Sequence, residues 1–311
     1  MSERAGQCTI TLLVNPRAGH GRAHRRLSDV RDGLAAGLPP GGRVEVIETR
    51  SYDHARSSAL AAAVSARPGD ALVTMGGDGM TSIGINACAT TGMPLGVVPA
   101  GTGNDFCRGA GLPTGIDAAV RVIAAGHLCS VDVMRVEGAL ADGADHHYVG
   151  CVLSTGFDER VNWRTNHLPF TLGAPSYAWS VFAELRHFGP LRYRVEIDGV
   201  QRRFDAILVA VGNTGIYGGG IRILPDADVR DGLLDVTIVH PVGRGTLIRL
   251  FPRLFTGTFT RHPAVETLRA SRVTVDGEDL FGMADGEDLG RPPFTATAVP
   301  GALRLFSPER G

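Results

Sequence analysis

The sequence predicts an α/β plus mainly-β chain with two domains. A Rossmann-like N-terminal domain with a parallel sheet precedes a C-terminal antiparallel, β-sandwich-like domain. Up to Val131, short apolar runs alternate with helical patterns, and from there extended runs dominate, many alternating apolar with polar residues. Such alternation is typical of antiparallel strands with one wet face. We place the first domain at residues 1–131, with the tail 296–311 returning to it, and the second at 132–295.

The first domain contains four predicted strands and four predicted helices. The strands are Thr9–Asn15, Arg43–Thr49, Ala71–Gly77 and Pro94–Ala100. The helices are Arg22–Ala36, Tyr52–Ala66, Thr81–Thr90 and Ile116–Gly126. Strand, helix and strand at this spacing predict βαβ units, which form a parallel sheet with right-handed crossovers.

Extended runs in the second domain are interrupted by two helical stretches, Ser176–Phe188 and Gly245–Phe255. The polar loop Gly138–His147 is the most dispensable segment. We find no internal repeat and no low-complexity linker.

Composition excludes several classes of protein. The net charge of −1 argues against a general nucleic-acid binder. All 31 basic residues are Arg, which excludes a Walker lysine, a Schiff-base lysine and a kinase strand lysine. The five widely spaced cysteines predict reduced thiols. With no signal-peptide pattern and no apolar run of membrane-spanning length, we expect a cytoplasmic protein, with peripheral contact at the inner membrane face left open.

Three glycine-rich loops follow predicted strands: NPRAGHGRA after the first, GGDGM after the third and PAGTGNDF after the fourth. The carboxyl ends of parallel strands share one edge of the sheet, where ligands of open α/β sheets bind. Glycines let backbone N–H groups turn toward an anion, and a following helix N-terminus adds partial positive charge. An ordinary tight turn is the alternative for each loop taken alone.

Two acids stand in these loops. Beside a polyphosphate, the Asp78 carboxylate would repel the ligand unless a cation intervened, so we expect Asp78 to be a direct or water-mediated Mg²⁺ partner. Thr102 and Asn104 offer hydrogen bonds on the next strand, and Asp105 is a second acid whose alternative role is a helix N-cap.

These blocks resemble the diacylglycerol kinase catalytic family of bacterial lipid kinases, which are related to sphingosine and ceramide kinases. The resemblance covers nearly the whole chain and rests on the order and spacing of its motifs. They are VNPRAG (Val14–Gly19), Thr49, GGDG (Gly76–Gly79), Asn86, PAGTGNDFCRGAGLP (Pro99–Pro113), STGFDERV (Ser154–Val161), YGGGIRILPDADVRDGLLDV (Tyr217–Val236) and ADGEDLG (Ala284–Gly290).

The resemblance implies an enzyme that binds ATP and Mg²⁺ in a cleft between the two domains. It assigns catalytic roles to Asp78, Asp105 and Glu287, the last as the general base that deprotonates a substrate hydroxyl. A second DGE at Glu278 competes with Glu287, and the C-terminal sequence that follows favours Glu287. Nucleotide contacts are carried onto Asn15, Pro16, Thr49, Gly76, Gly77, Asp78, Gly79, Met80, Thr81, Ser82, Gly101, Thr102, Asn104 and Asp285.

The family's structural Mg²⁺ loop corresponds to Asp226–Asp235. Asp231 would supply a carboxylate, and Asp228 and Leu233 backbone oxygens. A polar hairpin turn is the alternative.

The GGDG loop departs from the family's usual pattern, which is GGDGTxN and is often followed by an acid. This chain has Met80, Ser82 and Ile83 at those positions. Met80 loses a hydroxyl near the nucleotide, so we expect ATP binding that is weaker or altered.

The resemblance implies diacylglycerol or a related lipid as the acceptor. A kinase of a non-membrane alcohol and a catalytically impaired nucleotide-binding regulator are the alternatives, and an NAD-binding oxidoreductase fits poorly because the first loop lacks the G-x-G-x-x-G register. The segment Leu168–Pro175 is a candidate flap at an acyl-chain entrance or a membrane-touching loop, with nearby arginines for anionic headgroups. The arginines near this segment are Arg160, Arg164, Arg186 and Arg192.

A homodimer is compatible with the sequence.

Overall fold

A computed structural model describes residues 8–156 and 189–309, which divide into two compact units. Of the described residues, the first unit contains 8–132 and 301–309, and the second contains 133–156 and 189–300. The predicted flap Leu168–Pro175 and the predicted helix Ser176–Phe188 lie outside the described residues. Among the residues that are described, none of the helices combines the length and the apolar character that crossing a bilayer requires.

The first unit is built on a parallel sheet, as the sequence predicts. Its strands are β1 Thr9–Val14, β2 Arg43–Glu48, β3 Ala71–Gly76 and β4 Leu95–Pro99, in the order β2-β1-β3-β4. Its helices are α1 Ala18–Ala36, α2 Tyr52–Val64, α3 Asp78–Cys88, α4 Asp105–Gly109 and α5 Ile116–Ala125. Each predicted strand and helix is therefore present within a few residues of its predicted bounds, and α4 is an additional helix.

Strands β1, β3 and β4 are buried along almost their whole length, as in a parallel sheet that helices cover on both faces. Helix α1 contacts β1 and α5, and α5 contacts β4, with apolar residues such as Leu12, Val30 and Ile123 in one cluster. Helices α2 and α3 contact each other and the strands. Regular helix geometry in α1 begins at Arg22, because Gly19, His20 and Gly21 have positive φ values.

The second unit is antiparallel. Its strands are β5 Leu128–Leu140, which begins in the first unit, β6 His146–Val149, β7 Val152–Gly156, β8 Leu191–Ile197, β9 Val200–Ala206, β10 Leu208–Gly212, β11 Ile216–Tyr217, β12 Ile221–Arg222, β13 Leu234–Val239, β14 Val265–Ala270, β15 Arg272–Gly277, β16 Gly282–Ala284 and β17 Glu287–Phe306. Helix α6, Arg244–Leu254, and the 3-10 helix Thr258–Arg261 connect β13 to β14. The predicted dispensable loop Gly138–His147 is shorter than expected, because both of its ends belong to β5 and β6.

Strand β17 joins two series of antiparallel strands. One runs β14-β13-β10-β7-β16-β17 and the other β9-β8-β15-β17. Buried residues from both series, including Val211, Val236, Val273 and Phe294, form one core. The predicted α/β plus mainly-β fold class is confirmed.

The chain leaves the first unit within β5 and re-enters it within β17. Asp132 is buried at the first of these positions, and its Oδ1 accepts a hydrogen bond from the Gly301 N–H at 2.8 Å. Beyond Gly301, Leu303 and Leu305 are fully buried, and Leu305 pairs in parallel with Leu95 of β4. The C-terminal part of β17 thus completes the sheet of the first unit.

Candidate active site

The loops after β3 and β4 lie directly against each other. The N–H groups of Ala100 and Gly101 both donate to the carbonyl oxygen of Gly76, at 2.7 and 3.0 Å. A Cβ atom on Gly101 would lie 2.5 Å from the Cα atom of Gly77, which is closer than real Cβ contacts come. Glycine is therefore required where the two backbones approach.

Asp78 fastens these two loops together. Its Oδ2 accepts a hydrogen bond from the Asn104 N–H at 2.9 Å, and its Oδ1 accepts one from the Asp105 N–H at 2.7 Å. Asn104 has a positive φ of 53°, a conformation that Asn adopts more readily than most residues. Asp78 is also the first residue of α3, where a negative charge favours the helix.

Asp105 lies beside Asp78. It is buried and is the first residue of α4, with Asn104 at the N-cap position, so the alternative N-cap role for Asp105 is not what the structure shows. A Cβ atom on Gly103 would lie 2.6 Å from Asp78 Oδ2 and 3.5 Å from Asp105 Oδ2. Both carboxylates therefore border Gly103. Burial, with a further contribution from the Asp78 charge, raises the pKa of Cys107 to about 12.

The first glycine-rich loop reaches the same edge of the sheet. The Arg22 guanidinium donates to the carbonyl oxygens of Ala100 and Gly101, at 3.1 and 3.2 Å. The Arg17 N–H donates to Asn15 Oδ1 at 3.1 Å. Arg22 is absent from the predicted site residues, although its position at the start of the helix after a glycine-rich loop, in a chain without lysine, was a usable signal.

The remaining predicted nucleotide residues differ in exposure. Thr102 is exposed, and Met80 and Thr81 are buried. Asn15, Pro16, Thr49, Gly77, Asp78, Gly79, Ser82 and Gly101 are partly exposed.

Two of the unusual residues in the GGDG loop are core residues. The Met80 side chain is 6% exposed and the Ile83 side chain 5%. The Met80 side chain packs on Gly76, because a Cβ there would overlap its Cβ and Cγ atoms. At these two positions, the residues that differ from the usual pattern therefore pack in the apolar core.

In the second unit, Asp285 and Gly286 form the turn between β16 and β17. Both have positive φ, 49° and 89°, as the two central residues of a type I′ hairpin turn require. The Asp285 carboxylate accepts hydrogen bonds from the N–H groups of Gly150 and Cys151, each at 2.9 Å. Glu287 follows the turn as the first residue of β17 and is partly buried.

Glu278, the competing acid, is exposed. It lines a cavity of about 500 Å³ together with Arg192, Arg194 and Arg203. It lies in the connection between β15 and β16.

The predicted structural metal loop contacts an arginine of strand β14. Asp231 Oδ1 accepts a hydrogen bond from the Leu233 N–H at 3.0 Å, and Asp228 Oδ1 accepts one from the Arg230 N–H at 3.2 Å. The guanidinium of Arg269 lies 3.4 Å from Asp231 Oδ2 and also contacts the nearby Asp235 carboxylate.

The acids of this loop interact with one another. Burial is the main cause that raises the pKa of Asp235, which Arg269 opposes and the nearby Asp231 reinforces. Within residues 8–156 and 189–309, no cluster of three His, Cys, Asp or Glu side chains could hold a metal ion. The structural Mg²⁺ at Asp228, Asp231 and Leu233 stays a prediction, as does the cleft between the domains.

Comparisons with known proteins match both halves of the chain. Residues 9–136 match the diacylglycerol kinase catalytic domain, and residues 151–307 match the YegS C-terminal NAD kinase beta sandwich-like domain. A diacylglycerol kinase of Mycobacterium tuberculosis is 38% identical over 97% of this chain and 96% of its own length.

Solved structures share the fold. A diacylglycerol kinase from Bacillus anthracis superposes with a TM-score of 0.72 at 20% identity, covering 98% of each chain. An NAD kinase from Archaeoglobus fulgidus in complex with ATP gives a TM-score of 0.52 at 13% identity, covering 96% of this chain and 94% of its own. With the motifs above and a 38% identical relative over nearly its full length, the chain belongs to the diacylglycerol kinase catalytic-domain family of lipid kinases.

Proposed function

We propose that the chain transfers the γ-phosphoryl group of ATP to a hydroxyl group of diacylglycerol or a related lipid. Family membership supports phosphoryl transfer, and the relative that is 38% identical is named for diacylglycerol. The archaeal NAD kinase that shares the fold was solved with ATP. The observation that carries the proposal is the pair of glycine-rich loops that Asp78 fastens at one sheet edge.

The chain's own groups suit a phosphate ligand. Backbone N–H groups in glycine-rich loops and at the N-terminus of α3 favour anions. The Arg22 guanidinium, bonded to the loop after β4, adds a positive charge at the same edge. We propose that these groups bind the phosphates of ATP, with Asn15, Pro16, Thr49 and Ser82 completing the nucleotide contacts.

The two acids that border Gly103 fit a magnesium ion. Asp78 and Asp105 offer hard carboxylate oxygens, and Mg²⁺ in kinases is bound by one or two carboxylates together with phosphate oxygens. A cage of three protein acids is not needed, so its absence from the described residues agrees with this fit. When bound, Mg²⁺ neutralises charge on the phosphates.

Glu287 is the proposed general base. Its carboxylate takes the proton of the acceptor hydroxyl as that oxygen forms a bond to the γ-phosphorus. The bond from the γ-phosphorus to the bridging oxygen breaks, and ADP leaves with the electron pair. Asp285 holds the turn from which Glu287 extends, through its bonds to Gly150 and Cys151.

The test is transfer from [γ-³²P]ATP to a panel of diacylglycerol, ceramide, sphingosine and water-soluble alcohols. We expect labelled diacylglycerol or a related lipid, and a loss of about 10²–10⁴-fold in Glu287→Gln. Glu278→Gln is the matched control and keeps full activity. Undiminished transfer by Glu287→Gln removes Glu287 from the role. Thermal stabilisation by ATP with Mg²⁺ but no product from any acceptor overturns the proposed function.

A further inference from the structure

Helix α6 carries an apolar stripe that the rest of its unit leaves exposed. Leu250 is the one residue of the helix that is buried. Ile248 is 42% exposed and Phe255, which follows the helix, is 37% exposed. With the partly exposed Phe251 between them, these residues recur at positions i, i+3 and i+7, which lie on one side of a helix. The rings of Phe251 and Phe255 meet edge to face, with centroids 5.7 Å apart.

The same segment is strongly basic. From His240 to His262 the chain has four arginines and neither Asp nor Glu, although its net charge is only −1. Arg253 donates to the carbonyl oxygen of Thr258. Within residues 8–156 and 189–309, no hydrogen bond or ion pair is made by the side chains of Arg244, Arg249 and Arg261. These three positive charges therefore lack a counter-ion in the part of the chain that is described.

Some arginines elsewhere on the surface are paired with carboxylates. Arg26 bonds Asp29 and Arg194 bonds Asp276, for example. A local excess of unpaired arginines beside exposed Phe and Ile is the composition of a helix that lies in a membrane interface. At 11 residues, α6 is too short to cross a bilayer.

We propose that α6 docks the protein on an anionic lipid surface. The docking face consists of Ile248, Phe251 and Phe255, flanked by Arg244 and Arg249. The three apolar side chains enter the boundary between headgroups and acyl chains, and the arginines contact lipid phosphates. Charge complementarity selects an anionic bilayer as the occupant. Docking itself does not depend on catalysis, whereas the delivery of an acceptor lipid from that surface rests on the proposed function.

The direct test is co-sedimentation of the full chain with vesicles. We expect binding to phosphatidylcholine vesicles that contain phosphatidylglycerol, weaker binding as salt rises, and little binding to phosphatidylcholine alone. Each arginine near an anionic surface contributes about fivefold in affinity. Arg244→Gln/Arg249→Gln should therefore bind roughly 30-fold more weakly. Ile248→Ser/Phe255→Ser should reduce binding at every salt concentration.

Matched controls come from the first unit. Leu60→Ser/Val64→Ser removes two apolar side chains of α2 that are 56% and 80% exposed, and should leave vesicle binding unchanged. The charge control replaces two exposed arginines of the first unit, Arg67 and Arg121, with Gln. This variant should also leave vesicle binding unchanged. Equal losses of vesicle binding in the α6 variants and in the controls overturn the proposal. Wild-type binding that does not depend on the phosphatidylglycerol content of the vesicles also overturns it.

Two further measurements separate this proposal from its rivals. If sedimentation equilibrium shows a wild-type dimer that Ile248→Ser/Phe255→Ser converts to a monomer, the face is a contact between copies of the chain and the proposal is wrong. Phosphorylation of a short-chain, water-soluble diacylglycerol should be unchanged in the folded α6 variants, while phosphorylation of vesicle diacylglycerol falls. If the wild type phosphorylates neither form of diacylglycerol, the proposed function is rejected. Co-sedimentation with vesicles would still decide whether α6 docks on an anionic surface.

Discussion

Replacing Asp78 with Asn tests how the two glycine-rich loops are held. The Asp78 carboxylate accepts N–H groups from Asn104 and Asp105, at 2.9 and 2.7 Å. An Asn side chain keeps one acceptor oxygen and turns an NH₂ group toward the other N–H. One charge-assisted hydrogen bond is lost, which costs about 2–3 kcal/mol of unfolding free energy. For a unit of this size, that corresponds to a fall in Tm of about 4–10 °C.

A matched control separates stability from activity. Asp70 also accepts two backbone N–H groups, from Thr9 and Arg67, at 2.7 and 2.9 Å. It lies before β3, at the opposite end of that strand from Asp78. Asp70→Asn should lower Tm by a similar amount and leave phosphoryl transfer per folded molecule intact. Asp78→Asn should lower both, with kcat/KM falling about 10²-fold or more, because the loops no longer hold their geometry and the proposed Mg²⁺ site loses a carboxylate.

The assay is calorimetry combined with steady-state transfer from [γ-³²P]ATP, measured where both variants are folded. An unchanged Tm in Asp78→Asn would show that the carboxylate does not fasten the loops. Equal activity in the two variants would show that the fastened loops are not the phosphate site.

Three further predictions follow from individual contacts. Gly101→Ala should raise the KM for ATP and lower Tm, because the added Cβ would lie 2.5 Å from the Cα atom of Gly77. Steady-state kinetics at varied ATP concentration and calorimetry measure the two effects. Hydrogen bonds from Arg202 lower the pKa of Glu266, so this pair stabilises the fold above the ordinary Glu pKa and loses its effect as pH falls through the depressed value. The Tm difference between wild type and Arg202→Met should therefore be largest at neutral pH and shrink in acid, and a constant difference would contradict this. Arg269→Met removes the cation 3.4 Å from Asp231, so Mg²⁺ should raise the Tm of this variant more than that of wild type. An equal shift in both proteins would show that the guanidinium does not take an ion's place.

Local patterns were sufficient to predict the first unit. Strands β1, β3 and β4 are short apolar runs, β2 mixes apolar with charged residues, and each major helix follows at the expected distance. Strand β14, Val265–Ala270, cannot be identified from sequence in this way, because VETLRA has too weak an apolar alternation to indicate a strand at the edge of a sheet.

Contacts between distant residues could not be predicted. The Asp78 bonds depend on the left-handed conformation of Asn104, which only the packed loops impose. The bonds from Arg22 to the loop after β4 span 78 and 79 residues of sequence. Sequence motifs therefore identified which loops converge but not the side chains that hold them.

The return of β17 to the first unit has a consequence for biosynthesis. Because Leu305 pairs with β4, the parallel sheet gains its last partner only after the ribosome has passed the codons for both units. The N-terminal unit therefore cannot mature ahead of the rest during translation. A premature stop a few codons before Leu303 would leave Leu95 on an open sheet edge. The unpaired backbone groups of such an edge can bind chaperones or pair with other chains and aggregate.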